Sequence, residues 1–167
     1  MSSILKADEH VPREVSGERT IVEVAVGVLM QPGGRFLLTS RPPGKVYASY
    51  WEFPGGKLAA GESVEQALAR ELHEELGLDV DPVAVQRWRE QLVDYPHALV
   101  RLHFCKLHQW RGALQMREGQ DFSWQRLPVQ LHPVLPGALP VQLHPVLPGA
   151  LPVLQWLAAE FAAGRTL

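Results

Sequence analysis

Two runs of hydrophobic residues in the first quarter of the chain predict buried β-strands. Residues 20–30, TIVEVAVGVLM, are rich in β-branched side chains, which favour strands. Residues 31–34, QPGG, have the composition of a turn. Residues 35–41, RFLLTSR, therefore predict the returning strand of a hairpin-like pair.

The hydrophobic pattern then changes to a helical one. Leucines recur every fourth residue, at Leu68, Leu72 and Leu76. This spacing places them on one face of a helix, which we predict over residues 63–76. Ser63 and Gln66 have the spacing of a capping box, and Gly77 is suited to end the helix.

The rest of the chain alternates between the two patterns. Residues 83–93, 98–110 and 120–127 predict strands, and residues 153–163 predict a closing helix after Pro152. Strands precede, separate and follow the helices. This order favours an α+β protein in which a mixed β-sheet is sandwiched between helices (α/β/α).

One domain accounts for most of the chain. The length of 167 residues is sufficient for one domain with a core and short for two. Residues 1–19 are polar and contain Pro12 and Gly17, so we predict a flexible N-terminal tail followed by a domain over residues 20–167.

A perfect tandem duplication interrupts the C-terminal part of this domain. The sequence PVQLHPVLPGAL occurs at residues 128–139 and again at 140–151. Its prolines exclude a helix interior and a central strand, so residues 128–151 predict a loop. Two interpretations remain open: a duplication that the loop tolerates, natural or artificial, and a proline-rich recognition segment.

Composition limits the partners that we expect. The net charge is −2 and the hydrophobic content is 46%, so there is no basic excess for binding a nucleic acid polymer. Cys105 is the single cysteine, which excludes an intramolecular disulfide and favours a reducing, cytoplasmic location. No segment has the length and apolarity of a membrane span or signal peptide. Oligomeric state stays open.

Three acids, here called the helix acids, crowd the predicted helix at Glu71, Glu74 and Glu75. They share about 100° of its surface. Repulsion between Glu71 and Glu75 costs about 0.2–0.5 kcal/mol, and the helix dipole adds about 0.3–1 kcal/mol for each acid in the last turn. A divalent cation would reverse both effects. Taken alone, the acids are equally compatible with a metal site and a solvated face.

The context of these acids resembles the signature of the Nudix hydrolases, G-x5-E-x7-R-E-U-x-E-E-x-G-U with U apolar. Residues 56–78, GKLAAGESVEQALARELHEELGL, match it at every fixed position. The resemblance implies the Nudix fold and a loop–helix–loop that binds Mg²⁺, with Mn²⁺ as an alternative. It also implies hydrolysis of a nucleoside diphosphate linked to another group.

The resemblance also implies roles for individual residues. The helix acids and the backbone of Gly55 would hold the metal, while Arg70 would pair with Glu62 to join loop and helix. Gly56 and Gly77 would be structural. The metal neutralises substrate phosphates and lowers the pKa of a bound water, and a carboxylate takes its proton.

Within this family the chain is similar to the MutT type over its first strands and the stretch WEFPGGK. Arg41 lies where that type has an arginine contacting the nucleotide, although a solvated arginine at a strand end is equally ordinary. Residues 117–124, REGQDFSW, resemble an E-G-Q-x-x-x-W stretch that brings a further glutamate to the metal. Glu118 is therefore a fourth candidate acid, and the general base is open between Glu71 and Glu118.

The residues that would recognise the base depart from the MutT pattern. Ala138 and Ala150 stand where an asparagine reads the purine, and His97 falls where an acidic residue often follows the proline. Phe53 and Tyr95 could stack a purine or belong to the core. Base specificity therefore stays open.

These features predict a Mg²⁺-dependent nucleoside triphosphate pyrophosphohydrolase that releases a nucleoside monophosphate and pyrophosphate. The MutT resemblance implies sanitation of oxidised dGTP, which protects DNA. The alternatives are a Nudix hydrolase for ADP-ribose or an ordinary nucleotide, and a nucleotide-binding domain without turnover. The complete acidic set with Arg70 favours an enzyme.

Overall fold

The computed structural model describes residues 4–13, 19–45, 47–48, 50–129 and 146–164. Within these ranges the strands are β1 Leu5–Lys6, β2 Ile21–Leu29, β3 Phe36–Ser40, β4 Trp51–Glu52, β5 Gly55–Lys57, β6 Gln86–Asp94, β7 Leu99–Leu107 and β8 Phe122–Gln125. The helices are α1 Val64–Leu76 and α2 Leu151–Ala162. Neither helix of this described part is long and apolar enough to cross a membrane.

A mixed five-stranded sheet forms the centre of the fold. Its order is β1-β6-β7-β2-β5, with β2 parallel to β7 and β1 parallel to β6. The strands β4, β3 and β8 form a second, antiparallel sheet. The α+β class predicted from the sequence is confirmed.

Alternation along β2 places the central sheet between the two helices. Ala25 and Leu29 are fully buried in the cluster that contains the α1 leucines. Val26 and Val28, on the opposite face, are buried in the cluster that contains α2. The second half of β2, residues 25–29, is buried on both faces, which explains why this half contains no polar side chain.

The predicted hairpin between residues 20–30 and 35–41 is wrong. Both strands exist, but β2 lies in the central sheet and β3 in the smaller one. One isolated bridge, Met30 to Phe36, and the turn bond from Gln31 N to Arg35 O (2.8 Å) join them. β2 pairs with β7 along its whole length and with β5 at Val24–Val26, so its sheet partners are these two strands and not β3.

Helix α1 forms where the sequence predicts it. The Ser63 hydroxyl accepts from Gln66 N (3.1 Å), and the Gln66 side chain accepts from Ser63 N (3.0 Å). Gly77 ends the helix with φ 70°, a conformation that favours glycine. All three leucines of the stripe are fully buried against the sheet.

The predicted N-terminal tail is corrected over its described residues. Leu5–Lys6 pair with Val93 and Asp94 of β6, and Ala7 is buried. Ala7 N donates to Asp94 O (2.9 Å), and Arg19 pairs with the Asp94 carboxylate (2.6 Å). Two strand residues are too few to give a recognisable period, so the pattern gave no signal. Residues 1–3 and 14–18 lie outside the described ranges.

The end of the duplication is structured rather than a loop. Most of residues 128–151 lies outside the described ranges, but α2 begins at Leu151, two residues before the predicted start. Pro148–Ala150 form a 3-10 turn, and Val146 bridges Trp51 of β4. Pro152 occupies the first turn of α2, where its missing N–H is harmless.

Deleting residues 140–151 should leave stability and activity essentially unchanged. The first copy carries the same residues and would join Pro152 directly. Val134 would then take the place of Val146. It lies five residues after Val129, so the chain between them can extend over at most about 17 Å. Thermal unfolding and nucleotide turnover of the shortened protein test this. Misfolding or loss of activity would show that the second copy is structural.

Candidate active site

A cavity of about 590 Å³ is lined by residues from both sheets, helix α1 and the end of the duplication. Its wall combines two chemically distinct groups of side chains. The acidic group consists of Glu52, Glu71, Glu74, Glu75 and Glu118, and the aromatic group consists of Tyr47, Phe53, Tyr95, His97 and Phe104. The structure thus brings the predicted acids and the predicted rings of Phe53, Tyr95 and His97 into one cavity, together with Glu52, Tyr47 and Phe104, which were not predicted.

Glu71 and Glu75 interact directly within the acidic group. Burial raises the pKa of Glu75 to about 9, and the negative charges of Glu71 and Glu118 add to the rise. A hydrogen bond with the Glu71 side chain adds to the rise, so the Glu75 carboxyl retains its proton at neutral pH. This is the repulsion that the helical spacing predicts, strengthened by burial.

Two glycines of β5 allow the acidic group to lie against the sheet. A Cβ on Gly56 would lie 2.3 Å from the carboxylate carbon of Glu71. A Cβ on Gly55 would lie 2.0 Å from the carbonyl oxygen of Ala25 in β2. Any larger residue would therefore displace either the acid or the strand.

Arg70 connects α1 to the loop that precedes it. Its guanidinium donates to both carboxylate oxygens of Glu62, each at 2.8 Å, and to Lys57 O at 3.0 Å. It also donates to Glu71 (2.9 Å) and Glu74 (3.2 Å). The Arg70–Glu62 pair expected from the family resemblance is present. The bonds from Arg70, followed by that from Ala59 N, lower the pKa of Glu62 to about 2.

An ion pair that the sequence did not reveal lies beside the acids. Arg41, predicted as a nucleotide contact, lines the cavity and pairs with Glu52 at 2.9 Å. Burial raises the pKa of Glu52, and Arg41 opposes that rise. Glu52 precedes Phe53 in the WEFPGGK stretch, but nothing in the local pattern distinguishes it from a surface strand residue.

Phe53 and Tyr95 belong to the core and line the cavity at the same time. Each is 4% exposed, and Phe53 packs against Phe36 with ring centroids 5.8 Å apart. The Tyr95 hydroxyl accepts from Gly149 N (3.1 Å), which ties the cavity wall to the end of the duplication. His97 lies 5.4 Å from the Tyr95 ring.

The remaining predicted residues divide between the wall and its supports. Glu118 lines the cavity, is exposed and lies 3.9 Å from the Lys45 ammonium. Gln120, a further wall residue, accepts from Glu118 N (2.9 Å).

Ala150 is a buried part of the wall, whereas Ala138 lies outside the described residues. Outside the wall, Glu62, Arg70 and Gly77 support the loop and helix.

The donor set of the cavity fits a hard divalent cation. Carboxylate oxygens are the ligands that Mg²⁺ and Mn²⁺ prefer, and the close approach of Gly56 keeps Glu71 in the cavity wall. Among the described residues, no three acidic, histidine or cysteine side chains are already arranged around one point. Glu71 is instead bonded to Arg70 and Glu75, so a cation would require these side chains to reorient.

Replacing Glu75 with glutamine should stabilise the metal-free protein at neutral and higher pH. The folded pKa of Glu75, about 9, exceeds its ordinary 4.5, so its contribution to stability is present below pH 4.5 and lost as pH rises toward 9. With a chelator at pH 8, we expect Glu75→Gln to gain about 1 kcal/mol or more, roughly 2–4 °C in Tm.

The matched control is Glu65→Gln on the same helix. The hydrogen bond from Arg87 lowers the pKa of Glu65, so this variant should lose a little stability at the same pH. Parallel stability–pH curves for the wild type and Glu75→Gln would contradict the buried-acid interpretation.

Comparison with known proteins identifies the family to which the chain belongs. The NUDIX domain matches residues 21–149. The 8-oxo-dGTP diphosphatase of Haemophilus influenzae is 36% identical over 107 residues, 64% of this chain and 77% of the relative. The CTP pyrophosphohydrolase of Escherichia coli is 36% identical over 106 residues, covering 62% and 75%. The solution structure of the E. coli ORF135 protein has a TM-score of 0.63 at 28% identity, covering 87% and 94%. The chain belongs to the NUDIX domain family.

Proposed function

We propose that this protein is a Mg²⁺-dependent nucleoside triphosphate pyrophosphohydrolase that acts on oxidised dGTP. One observation carries the proposal: a single cavity is lined by five glutamates and by a group of aromatic side chains. Acids of this density suit a metal-bound phosphate chain, and aromatic rings suit a nucleobase. A cytoplasmic location, where nucleotide pools are used, is part of the proposal.

Glu71, Glu75 and Glu118 are the side chains that would hold the metal, with Glu74 and the backbone of Gly55 beside them. A bound Mg²⁺ supplies charge neutralisation of the phosphates and lowers the pKa of a coordinated water. Arg70 contacts Glu71 at 2.9 Å and keeps the helix against the loop through its bonds to Glu62 and Lys57 O. Glu71 and Glu118 remain the two candidates for accepting the proton of the attacking water.

Arg41, Lys45 and Lys57 are the basic side chains of the wall, and Arg41 and Lys45 contact its acids. Arg41 is held by Glu52, so its guanidinium has a fixed position from which to contact a nucleotide. Lys45 lies in the loop after β3 and pairs with Glu118 at long range, 3.9 Å. We propose that Arg41 and Lys45 orient the triphosphate, since each lines the cavity beside the acids.

An ordinary nucleotide is the second candidate substrate, and Ala150 favours it. This residue offers only a methyl group at the place where the MutT type has a base-reading asparagine. The 8-oxo-dGTP diphosphatase and CTP pyrophosphohydrolase relatives are equally similar in identity. A phosphate-release screen with Mg²⁺ over 8-oxo-dGTP, dGTP, CTP and ADP-ribose separates the candidates. No turnover with any of them would favour a nucleotide-binding domain.

Glu75→Gln should reduce kcat by about 100-fold or more while the protein stays folded. The change removes one metal-holding carboxylate from a site whose transition state is stabilised electrostatically. Steady-state turnover measured across a Mg²⁺ titration tests this. Glu65→Gln is the matched control, because Glu65 is on α1 but outside the cavity wall and pairs with Arg87. Full activity of Glu75→Gln with unchanged Mg²⁺ dependence would remove Glu75 from the site.

The preference for 8-oxo-dGTP over dGTP should be present but modest. A site that hydrogen-bonds a base rejects the wrong base strongly, whereas an apolar wall discriminates by about 1–3 kcal/mol. We therefore expect a kcat/KM ratio of roughly 10–200, measured for both nucleotides at the same Mg²⁺ concentration. A ratio near one would favour the ordinary-nucleotide candidate. A ratio above about 10⁴ would show that another group reads the base.

A further inference from the structure

The segment of residues 4–13 lies before the part of the chain that matches the NUDIX domain, yet it reaches the cavity wall. Asp8 accepts a hydrogen bond from the Tyr47 hydroxyl, and Tyr47 lines the cavity. Tyr47 belongs to the loop between β3 and β4. The bond therefore connects the N-terminal segment to a mid-chain loop across the aromatic side of the cavity.

Both partners of this bond have unusual backbone conformations. Asp8 has φ 48° and Tyr47 has φ 57°, and they are the two non-glycine residues with positive φ in the described part of the chain. Left-handed φ is unfavourable for a bulky residue such as tyrosine, and it persists only where the surroundings fix it. Because the two residues with this backbone conformation are the partners of one hydrogen bond, we infer that the fold constrains both of them to make this contact.

Asp8 has a rigid base from which to hold the tyrosine. The preceding residue, Ala7, is buried in a small apolar cluster with Val93 and Tyr95. Its carbonyl accepts from the Arg13 guanidinium at 2.6 Å, and its N–H donates to Asp94 O. The segment is thus fixed to β6 on one side and to the cavity wall on the other.

Tyr47 completes the aromatic group of the wall. Its ring centroid lies 5.7 Å from Tyr95, 6.0 Å from His97 and 5.3 Å from Tyr50. Burial, helped by the bond to Asp8, raises the pKa of the Tyr47 phenol, so the hydroxyl remains a donor throughout the neutral range. The ring is therefore held in one place by its hydroxyl rather than by the loop alone.

We propose that Tyr47 is a base-binding residue that stacks on the nucleobase, and that Asp8 is a positioning residue that holds the Tyr47 ring in place. The assignment rests on the proposed function, because it requires that the base of a nucleotide binds at the aromatic side of the cavity. Stacking on an aromatic face is available to every base and tolerates differences between them. Such a contact would compensate in affinity, though not in selectivity, for the missing asparagine at Ala150.

The test compares a ligand that carries a nucleobase with one that has none. Binding of dGMP and of inorganic pyrophosphate, both with Mg²⁺, is measured by calorimetry for wild type, Asp8→Ala, Tyr47→Phe, Tyr47→Ala and the Asp8→Ala/Tyr47→Phe double variant. Glu9→Ala is the matched control, since it removes an exposed acid from the same segment. The KM and kcat for dGTP are measured in parallel.

Tyr47→Ala should weaken dGMP binding by roughly 5- to 100-fold and leave pyrophosphate binding unchanged. Asp8→Ala and Tyr47→Phe should each weaken dGMP binding by about 3- to 10-fold, and the double variant should be no worse than either. These losses should appear in KM, with kcat close to wild type. Glu9→Ala should match wild type for both ligands.

Three results would overturn the inference. Equal losses for dGMP and pyrophosphate would make Tyr47 a structural residue, and unchanged dGMP affinity in an active enzyme would remove it from base recognition. Independent, additive effects of Asp8→Ala and Tyr47→Phe would end the positioning role of Asp8. A wild-type protein that turns over no nucleotide would instead overturn the proposed function, and the base assignment with it.

Discussion

The guanidinium of Arg70 is the interaction on which the acidic side of the cavity depends. Its five hydrogen bonds use all five N–H donors, and they join one carbonyl of β5, one loop carboxylate and two helix carboxylates. The forked geometry matches the two oxygens of Glu62, which an ammonium group could not do. Glu71 therefore reaches the cavity from a helix whose position relative to β5 is already fixed.

This arrangement resolves the conflict that the sequence of α1 presents. A helix that gathers three acids loses stability unless something offsets their repulsion. Arg70 offsets it for Glu71 and Glu74, which it contacts directly. Glu75 makes none of these guanidinium contacts, is partly buried and retains a proton instead. The buried leucine face supplies the packing that keeps the helix folded in spite of this cost.

Local features were predictable and distant ones were not. The limits of α1, its capping box and its terminal glycine depend on residues within four positions of each other, and the sequence predicted them. The partners of β2 depend on β7, more than seventy residues away, so the hairpin assigned from adjacency failed. The family resemblance led to the acidic group. Glu52 and Tyr47 belong to no spacing pattern in the sequence. Only the fold, which places Glu52 beside Arg41 and Tyr47 beside Tyr95, identifies them as residues of the cavity.

The short strand β1 also bears on how the edge of the central sheet is protected. β6 is nine residues long, but β1 pairs only with Val93 and Asp94. The preceding part of β6 carries Arg87, Arg89 and Glu90, which are exposed. Charged side chains on an edge strand oppose its pairing with a strand from another molecule. The N-terminal segment thus covers the end of the β6 edge, and the charged side chains protect the rest of it against pairing with another molecule.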